Sequence, residues 1–179
     1  VRIANGELLR RDLLENRLDL ALLEGEENGA DLMLTPFAAG EMALIVPPGH
    51  PLARAGGATL AQAAAYPLLL RETGSATRRF LDQLLMSRGL AVQPVWESAS
   101  TQALVRAVAA NVGLSILPEK LVQNALSGGL VVTRPIQDAP LLRACHIVWH
   151  RNKYLSPSLL RLIDLAKKGN DGAAAPYPA

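Results

Sequence analysis

The chain has 179 residues, of which 50% are hydrophobic and only 4% aromatic, and its formal net charge at pH 7 is +2. Such a length and composition allow a packed core in one medium domain or in two small lobes. Because the Lys and Arg residues are scattered along the sequence, we do not expect this chain to form a nucleic-acid-binding surface by itself.

Neither membrane insertion nor disulfide bonding is predicted. No apolar run approaches the roughly 20 residues of a membrane-spanning helix, and the first residues lack a signal-peptide pattern. Cys145 is the single cysteine and its neighbours are apolar, so we expect a buried structural thiol without a disulfide partner. These features predict a cytoplasmic protein. The chain starts on Val1 rather than on Met, and we expect it to be part of a longer protein.

The pattern of apolar residues predicts a β-α-β unit at the start of the chain. A strand over Val1–Ala4, a helix over Glu7–Asn16 and a strand over Leu18–Leu23 would be joined as a parallel crossover. A further strand, Met42–Val46, ends at the segment 47–52, where three prolines forbid a continuing ladder.

The middle of the chain repeats this alternation. A short helix over Thr59–Ala65 leads into a strand over Tyr66–Leu70, and apolar residues recur at helical spacing from Arg78 to Ser87. A second β-α-β unit follows. It and the remaining predicted elements are the strand Val92–Glu97, the helix Thr101–Ala110, the strand Gly113–Leu117, the helix Glu119–Leu126, the strands Leu130–Thr133 and Leu142–His150, and the helix Ser156–Lys168.

Alternating strands and helices of these lengths predict an α/β fold with mostly parallel sheets. We expect two lobes, because the chain would leave the first near residue 50 and return to it near residue 142. The predicted division is 1–49 for the first part of lobe I, 50–141 for lobe II, 142–168 for the return strand and C-terminal helix of lobe I, and 169–179 for a flexible tail. A ligand would bind in the cleft between the lobes, beyond the carboxyl ends of strands.

The segment 68–80 is the strongest candidate for a binding site. An apolar strand runs into a turn of Gly, Ser and Thr residues and then into an amphipathic helix. Around Gly74, the N–H groups of the helix start and the hydroxyls of Thr73, Ser75 and Thr77 would point at one spot and bind a small anion. Alternatively, Ser75 or Thr77 only caps the helix, a role worth about 1 kcal/mol.

Two further groups of residues could complete this site. Ser100 and Thr101 lie between a predicted strand and a predicted helix, where they could face the same ligand, or Ser100 could be a helix cap only. Arg71 and Arg78 could pair with an anionic group, and Glu72 could hold an arginine or oppose a second negative charge. Because adjacent strand residues point to opposite faces, we expect only one of Arg71 and Glu72 to face the ligand.

No catalytic or metal-binding set is predicted. Ser75 has no His or Lys partner at a recognisable spacing and lacks the nucleophile-elbow pattern, so we do not expect an enzyme. The histidines lack a further ligand at metal spacing, and several carboxylates are expected at the surface instead of in a catalytic pair. These residues are His50, His146, His150, Asp12, Glu15 and Asp19. We therefore expect neither a metal nor another cofactor.

Four segments of the chain resemble a known family. They are 18–25 (LDLALLEG), 47–53 (PPGHPLA), 71–78 (RETGSATR) and 112–118 (VGLSILP). In this order and spacing they are similar to segments of the effector-binding domain of LysR-type transcriptional regulators, over nearly the whole chain up to Lys168. The resemblance implies a two-lobed, periplasmic-binding-protein-like fold of type 2, in which crossover strands join two α/β lobes at a hinge.

The resemblance also implies a function. A small anionic metabolite, the effector, would bind between the lobes, change the arrangement of a homodimer or tetramer, and so control transcription. The helix of residues 6–16 is a candidate contact between copies. Together with the residue patterns, this gives the expected effector-binding residues as Arg71, Thr73, Gly74, Ser75, Thr77, Ser100 and Thr101.

The chain departs from the family pattern at its start. The winged helix-turn-helix that binds DNA, its linker helix, and the first strand and helix of the effector domain have no counterpart in this sequence. We therefore expect DNA binding, part of the effector site and part of the dimer interface to lie outside this chain. The alternative is a solute-binding protein of a transport system, which has a similar fold and would be exported.

Overall fold

The computed structural model describes residues 1–25, 29–139 and 141–169. Its helices are α1 (Gly6–Leu14), α2 (Leu60–Ala64), α3 (Ala76–Ser87), α4 (Thr101–Ala109), α5 (Glu119–Ser127) and α6 (Pro157–Lys168). Its strands are β1 (Ala21–Glu24), β2 (Leu32–Val46), β3 (Leu69–Arg71), β4 (Trp96–Ser98), β5 (Ser115–Pro118), β6 (Val132–Arg134) and β7 (Leu142–His150). Apart from Gly169, the predicted tail lies outside the described residues.

The predicted helices are all present, and the α/β class is confirmed. β7 has the predicted bounds, whereas the predicted strand over 42–46 is the end of the much longer β2. The first β-α-β unit was wrong, because Val1–Ala4 has no strand conformation and Val1 and Ile3 are exposed. A strand requires a hydrogen-bonded neighbour, and no ladder within the described residues includes this segment.

The chain forms two compact units. The first contains Val1–Gly40 and the chain from Leu142 onward, and the second is Glu41–Leu141. In the first unit β1 pairs antiparallel with β7, from Ala21 opposite Val148 to Glu24 opposite Cys145. The residues Leu13, Ala21, Leu23, Leu32 and Val148 form its buried cluster, so α1 covers this part of the sheet with a leucine face.

Asp12 on α1 is the residue of the first unit that differs most from expectation. It was predicted at the surface, but it is only 1% exposed. Its carboxylate accepts hydrogen bonds from the Arg17 guanidinium at 2.9 and 2.7 Å and from Arg2. The chain reverses after α1 at Asn16, with φ of 56°, and thereby brings Arg17 back onto Asp12. Burial is possible because the two guanidiniums compensate the charge.

We predict that Asp12→Asn destabilises the protein in a pH-dependent way. The hydrogen bond from Arg17 holds the pKa of Asp12 below its usual 3.8. The ionised carboxylate therefore stabilises the fold fully above pH 3.8, and this contribution is lost as the pH falls through the lower pKa of the folded state. Urea unfolding at several pH values should show a stability gap between wild type and variant that closes under acid. Asp19→Asn, at an exposed ion pair with Lys153, is the control and should change stability little. A gap that is as large at the most acidic pH at which both proteins still fold as it is at neutral pH would contradict the prediction.

The second unit contains both parallel and antiparallel pairs. β3 and β4 are parallel, from Leu69 opposite Trp96 to Arg71 opposite Ser98, whereas β2 is antiparallel to both β5 and β6. The prediction of mostly parallel sheets therefore needs correction for the long strand β2. Parallel neighbours such as β3 and β4 need a crossover connection, which α3 provides. Strand β2 instead runs in the direction opposite to its neighbours β5 and β6.

Strand β3 is buried on both faces. Leu70 of β3 and Leu68, which directly precedes the strand, belong to one hydrophobic cluster and Leu69 to another, because successive side chains of an extended chain point to opposite faces. Leu81 of α3 lies in the first cluster and Leu104 of α4 in the second. Helices α3 and α4 therefore cover opposite faces of the same strand.

Gly113 is required where the chain approaches β3 closely. The N–H of Leu114 donates to the Pro67 carbonyl oxygen at 2.8 Å, and the N–H of Leu69 donates to the Leu114 carbonyl oxygen at 2.8 Å. A Cβ added at Gly113 would lie 2.5 Å from the Pro67 carbonyl oxygen. This close approach explains the glycine of the VGLSILP segment.

We predict that Gly113→Ala destabilises the protein by about 1–3 kcal/mol, because the backbone oxygen of Pro67 cannot move without breaking the pairing at β3. Gly49→Ala is the matched control, since nothing lies within 4 Å of its added Cβ, and it should stay within about 0.5 kcal/mol of wild type. Denaturant unfolding measures both variants. Equal stability of the two would show that the contact is not a constraint.

Candidate functional site

The carboxyl ends of β3 and β4 form one edge of the second unit. Arg71, the last residue of β3, is paired with Ser98, the last residue of β4. A short turn leads from β3 into α3, and a second short segment leads from β4 into α4. Two helix N-termini with their unpaired N–H groups therefore follow directly from neighbouring strand ends. The predicted effector-binding residues lie in these segments or at the adjoining ends of β3, α3 and α4.

The turn between β3 and α3 depends on Gly74. The N–H of Ser75 donates to the Glu72 carbonyl oxygen at 3.1 Å, which closes a four-residue turn. Gly74 has φ of 88°, the left-handed conformation that a type II turn requires at its third position. Thr73 is exposed at the tip of the turn, whereas Gly74 and Ser75 are buried.

Ser75 occupies the N-cap position of α3, but its side chain makes no capping hydrogen bond. The residue is only 3% exposed. The capping alternative for the Ser75 hydroxyl is therefore wrong, although its backbone carbonyl does accept from the N–H of Arg79. Thr77, also 3% exposed, lies in the first turn of α3.

Ser100, the N-cap residue of α4, behaves differently. Its Oγ accepts from the N–H of Ala103 at 3.2 Å, and its own N–H donates to Ser98 Oγ at 3.1 Å. The capping role of Ser100 is thus confirmed. The next residue, Thr101, accepts from Arg71 Nη1 at 3.4 Å through its Oγ1, and this contact joins the end of β3 to the start of α4.

Arg71 and Glu72 form an ion pair, so Glu72 holds an arginine, which was one of its two predicted roles. Arg71 Nε donates to Glu72 Oε2 at 2.9 Å and Nη2 donates to Oε1 at 3.2 Å. Alternation holds only within a regular strand, and β3 ends at Arg71. Glu72 therefore orients the Arg71 guanidinium through a bidentate ion pair.

Arg78 makes hydrogen bonds to three partners and thereby connects the turn to β4. Its Nη1 donates to Glu97 Oε1 at 2.7 Å and to the Arg71 carbonyl oxygen at 3.2 Å, and its Nε donates to Asp82 at 2.9 Å. Burial alone would lower the pKa of Arg78, but Glu97 and Asp82 outweigh it and raise the pKa, so the group stays charged. Sequence reasoning missed both carboxylates. Asp82 lies four residues after Arg78, a spacing that indicates an ion pair on one face of a helix. No sequence pattern indicated the contact with Glu97.

The histidines have structural contacts. His50 Nδ1 accepts from the N–H of Leu52 and caps the 3₁₀ turn Pro51–Arg54, and burial lowers the pKa of His50. His146 Nδ1 lies 2.9 Å from the Gly25 carbonyl oxygen. In the described parts of the chain no three His, Cys, Asp or Glu residues are placed to hold a metal ion.

None of the described helices combines the length and hydropathy that crossing a bilayer requires.

The family to which the chain belongs follows from comparison with known proteins. The family described as LysR substrate binding domain matches residues 1–171. The chain belongs to this family. Membership confirms the resemblance seen in the sequence and identifies a binding domain rather than an enzyme, and it favours a regulator over a transport protein.

The relatives are named as regulators of transcription. The uncharacterized HTH-type transcriptional regulator YeiE of Escherichia coli is 30% identical over 168 residues, which are 94% of this chain and 57% of that protein. A RuBisCO operon transcriptional regulator of Allochromatium vinosum is 28% identical over 156 residues, or 87% of this chain and 52% of that protein. The chain thus spans about half the length of the curated relatives that it matches.

Solved structures confirm the periplasmic-binding-protein-like fold. The regulatory domain of Synechocystis CcmR in complex with 2-PG has a TM-score of 0.88 at 22% identity, with 97% of this chain and 84% of that chain covered. The effector-binding domain of QuiR in complex with shikimate has a TM-score of 0.83 at 23% identity, with 94% and 79% covered.

We predict that Ser75→Ala and Ser100→Ala differ in their effect on stability. Ser100→Ala removes a capping bond to Ala103 and should destabilise the protein by about 1 kcal/mol. Ser75→Ala removes no capping bond and should destabilise it by less than about 0.5 kcal/mol. Chemical unfolding of the two variants without ligand measures the difference. A larger loss for Ser75→Ala than for Ser100→Ala would show that the Ser75 hydroxyl is structural after all.

Proposed function

We propose that this chain is the effector-sensing domain of a LysR-type transcriptional regulator and that it binds a small anionic metabolite at the ends of β3 and β4. The observation that carries the proposal is Ser75, a residue that is only 3% exposed and makes no side-chain capping hydrogen bond, at a helix N-terminus that follows a strand. The first N–H groups of a helix need acceptors, and a ligand can supply them where the side chain at the N-cap position does not.

The neighbouring groups suit a small anion. The N–H groups of the first turn of α3 and the positive end of its dipole favour a negatively charged ligand group. Gly74 allows the turn to bring these N–H groups together, and the hydroxyls of Thr73, Ser75 and Thr77 add hydrogen-bonding capacity. Arg71, oriented by Glu72 and Thr101, would contact the ligand from β3, and Ser100 and Thr101 would form the second side of the site.

Control of transcription would follow from a shift between conformations. In the proposed function the bound effector favours one conformation of the domain and thereby changes a homodimer or tetramer that binds DNA through a helix-turn-helix domain. Such a regulator acts in the cytoplasm. Couplings of about 1–3 kcal/mol between ligand and conformation are sufficient. The names of similar proteins support this, since they include HTH-type regulators and effector domains with 2-PG or shikimate.

We predict that a small anion raises the melting temperature of this protein in a saturable way. A ligand that binds only the folded state at about 100 times its Kd stabilises it by about 2.7 kcal/mol. The compounds to test by thermal shift are sulfate, sulfite, phosphate, 2-phosphoglycolate, shikimate and dicarboxylates. Ser75→Ala should weaken binding about tenfold or more, because it removes a hydrogen bond to a charged group.

Ser87→Ala is the matched control for this experiment. Ser87 lies in the last turn of the same helix, and its hydroxyl donates to the Leu84 carbonyl oxygen, far from the N-terminus of α3. This variant should bind as wild type does. Binding that Ser75→Ala leaves unchanged would place the ligand elsewhere, and a series without any saturable shift would contradict the proposed function.

A further inference from the structure

The charged side chains around the proposed site are already paired with one another. Arg71 is bound to Glu72 by two hydrogen bonds, and Arg78 is bound to Glu97 and Asp82. These ion pairs contain two guanidiniums and three carboxylates. Arg79, in the same turn of α3, adds a third guanidinium, so the formal charge of the group is zero. Within this group of six side chains, no surplus positive charge is left for a polyanionic ligand.

The remaining positive potential comes from the backbone. Each helix N-terminus carries the equivalent of about half an elementary charge, and α3 and α4 both begin at this edge. Together they supply about one positive charge, which balances one negative charge on a ligand. A second negative charge would have no counterpart, and in a partly buried site it would be repelled by the nearest carboxylate.

Glu72 is the carboxylate nearest to the binding turn. It is the first residue of that turn, and its carbonyl oxygen accepts from the N–H of Ser75. Its side chain is 23% exposed, compared with 40% for Glu97 and 52% for Asp82. Because the effective dielectric constant falls with burial, Glu72 acts more strongly on a ligand in this turn than the other two carboxylates do.

We propose that Glu72 determines the charge of the effector, so that the site takes a singly charged carboxylate and rejects its phosphorylated counterpart. Glu72 does this in two ways. It orients the Arg71 guanidinium for one carboxylate, and it repels the second charge of a phosphate monoester. This inference rests on the proposed function, because it concerns the ligand of the same site.

The test uses pairs of compounds that differ only in a phosphate group: glycolate and 2-phosphoglycolate, glycerate and 3-phosphoglycerate, shikimate and shikimate 3-phosphate. Binding to the ¹⁵N-labelled protein is followed through the backbone amide signals of Gly74 and Ser75, which report on this site even when affinity is low. Wild type should bind the unphosphorylated member more tightly. The ratio compared is the dissociation constant of the phosphorylated member divided by that of the unphosphorylated member. Glu72→Gln should lower this ratio about tenfold, and the amide signals of the other residues should stay unchanged, which shows that the fold is kept.

Asp82→Asn is the matched control, since it also removes one carboxylate from an arginine but at a more exposed position. It should change the ratio less than about twofold. Tighter binding of phosphorylated compounds by wild type, or a ratio unchanged in Glu72→Gln, would overturn the role of Glu72 and leave the proposed function standing. If the Gly74 and Ser75 signals respond neither to these compounds nor to the anions of the thermal-shift series, both the proposed function and this inference are wrong.

Discussion

The parallel pairing of β3 with β4 is the constraint on which the candidate site depends. It places the last residues of the two strands, Arg71 and Ser98, opposite each other. Because β3 is buried on both faces, the helices that follow the two strands pack on opposite sides of it, α3 against one hydrophobic cluster and α4 against the other. A slip of one residue in β3 would exchange the two faces. The pairing and the two-sided burial thus fix where both helices begin.

Two serines at equivalent positions have different roles. Ser100 caps α4 through its side chain, as its residue type predicts, whereas Ser75 occupies the same position of α3 and makes no such bond. In the first case the hydroxyl stabilises the helix, and in the second it is held in a buried position without that benefit. The contrast within one unit distinguishes a structural serine from one that we assign to a ligand. Residue type alone does not make this distinction.

Much of the fold could be predicted from the sequence, and the failures have physical causes. Leucines at helical spacing are sufficient to place α1, because its buried face is formed within one short segment. The strand predicted over Val1–Ala4 is absent, because a strand depends on a partner that periodicity does not show. The burial of Asp12 was missed for a similar reason, since its compensation comes from Arg2 and from Arg17 beyond the helix end. Neither of these two arginine contacts is indicated by a local pattern in the sequence.

The sequence by itself determined the alternation of helices and strands, the turn that needs Gly74, and the family. These depend on interactions within a few residues, or on segments that are similar in related chains. The tertiary structure alone decided that Arg78 pairs with Glu97, that Arg71 reaches Thr101, and that Ser75 remains uncapped. Such contacts join residues that are distant in the sequence or that lie beyond the end of a strand. They form only once the strands have paired and the charged groups, removed from water, must find partners.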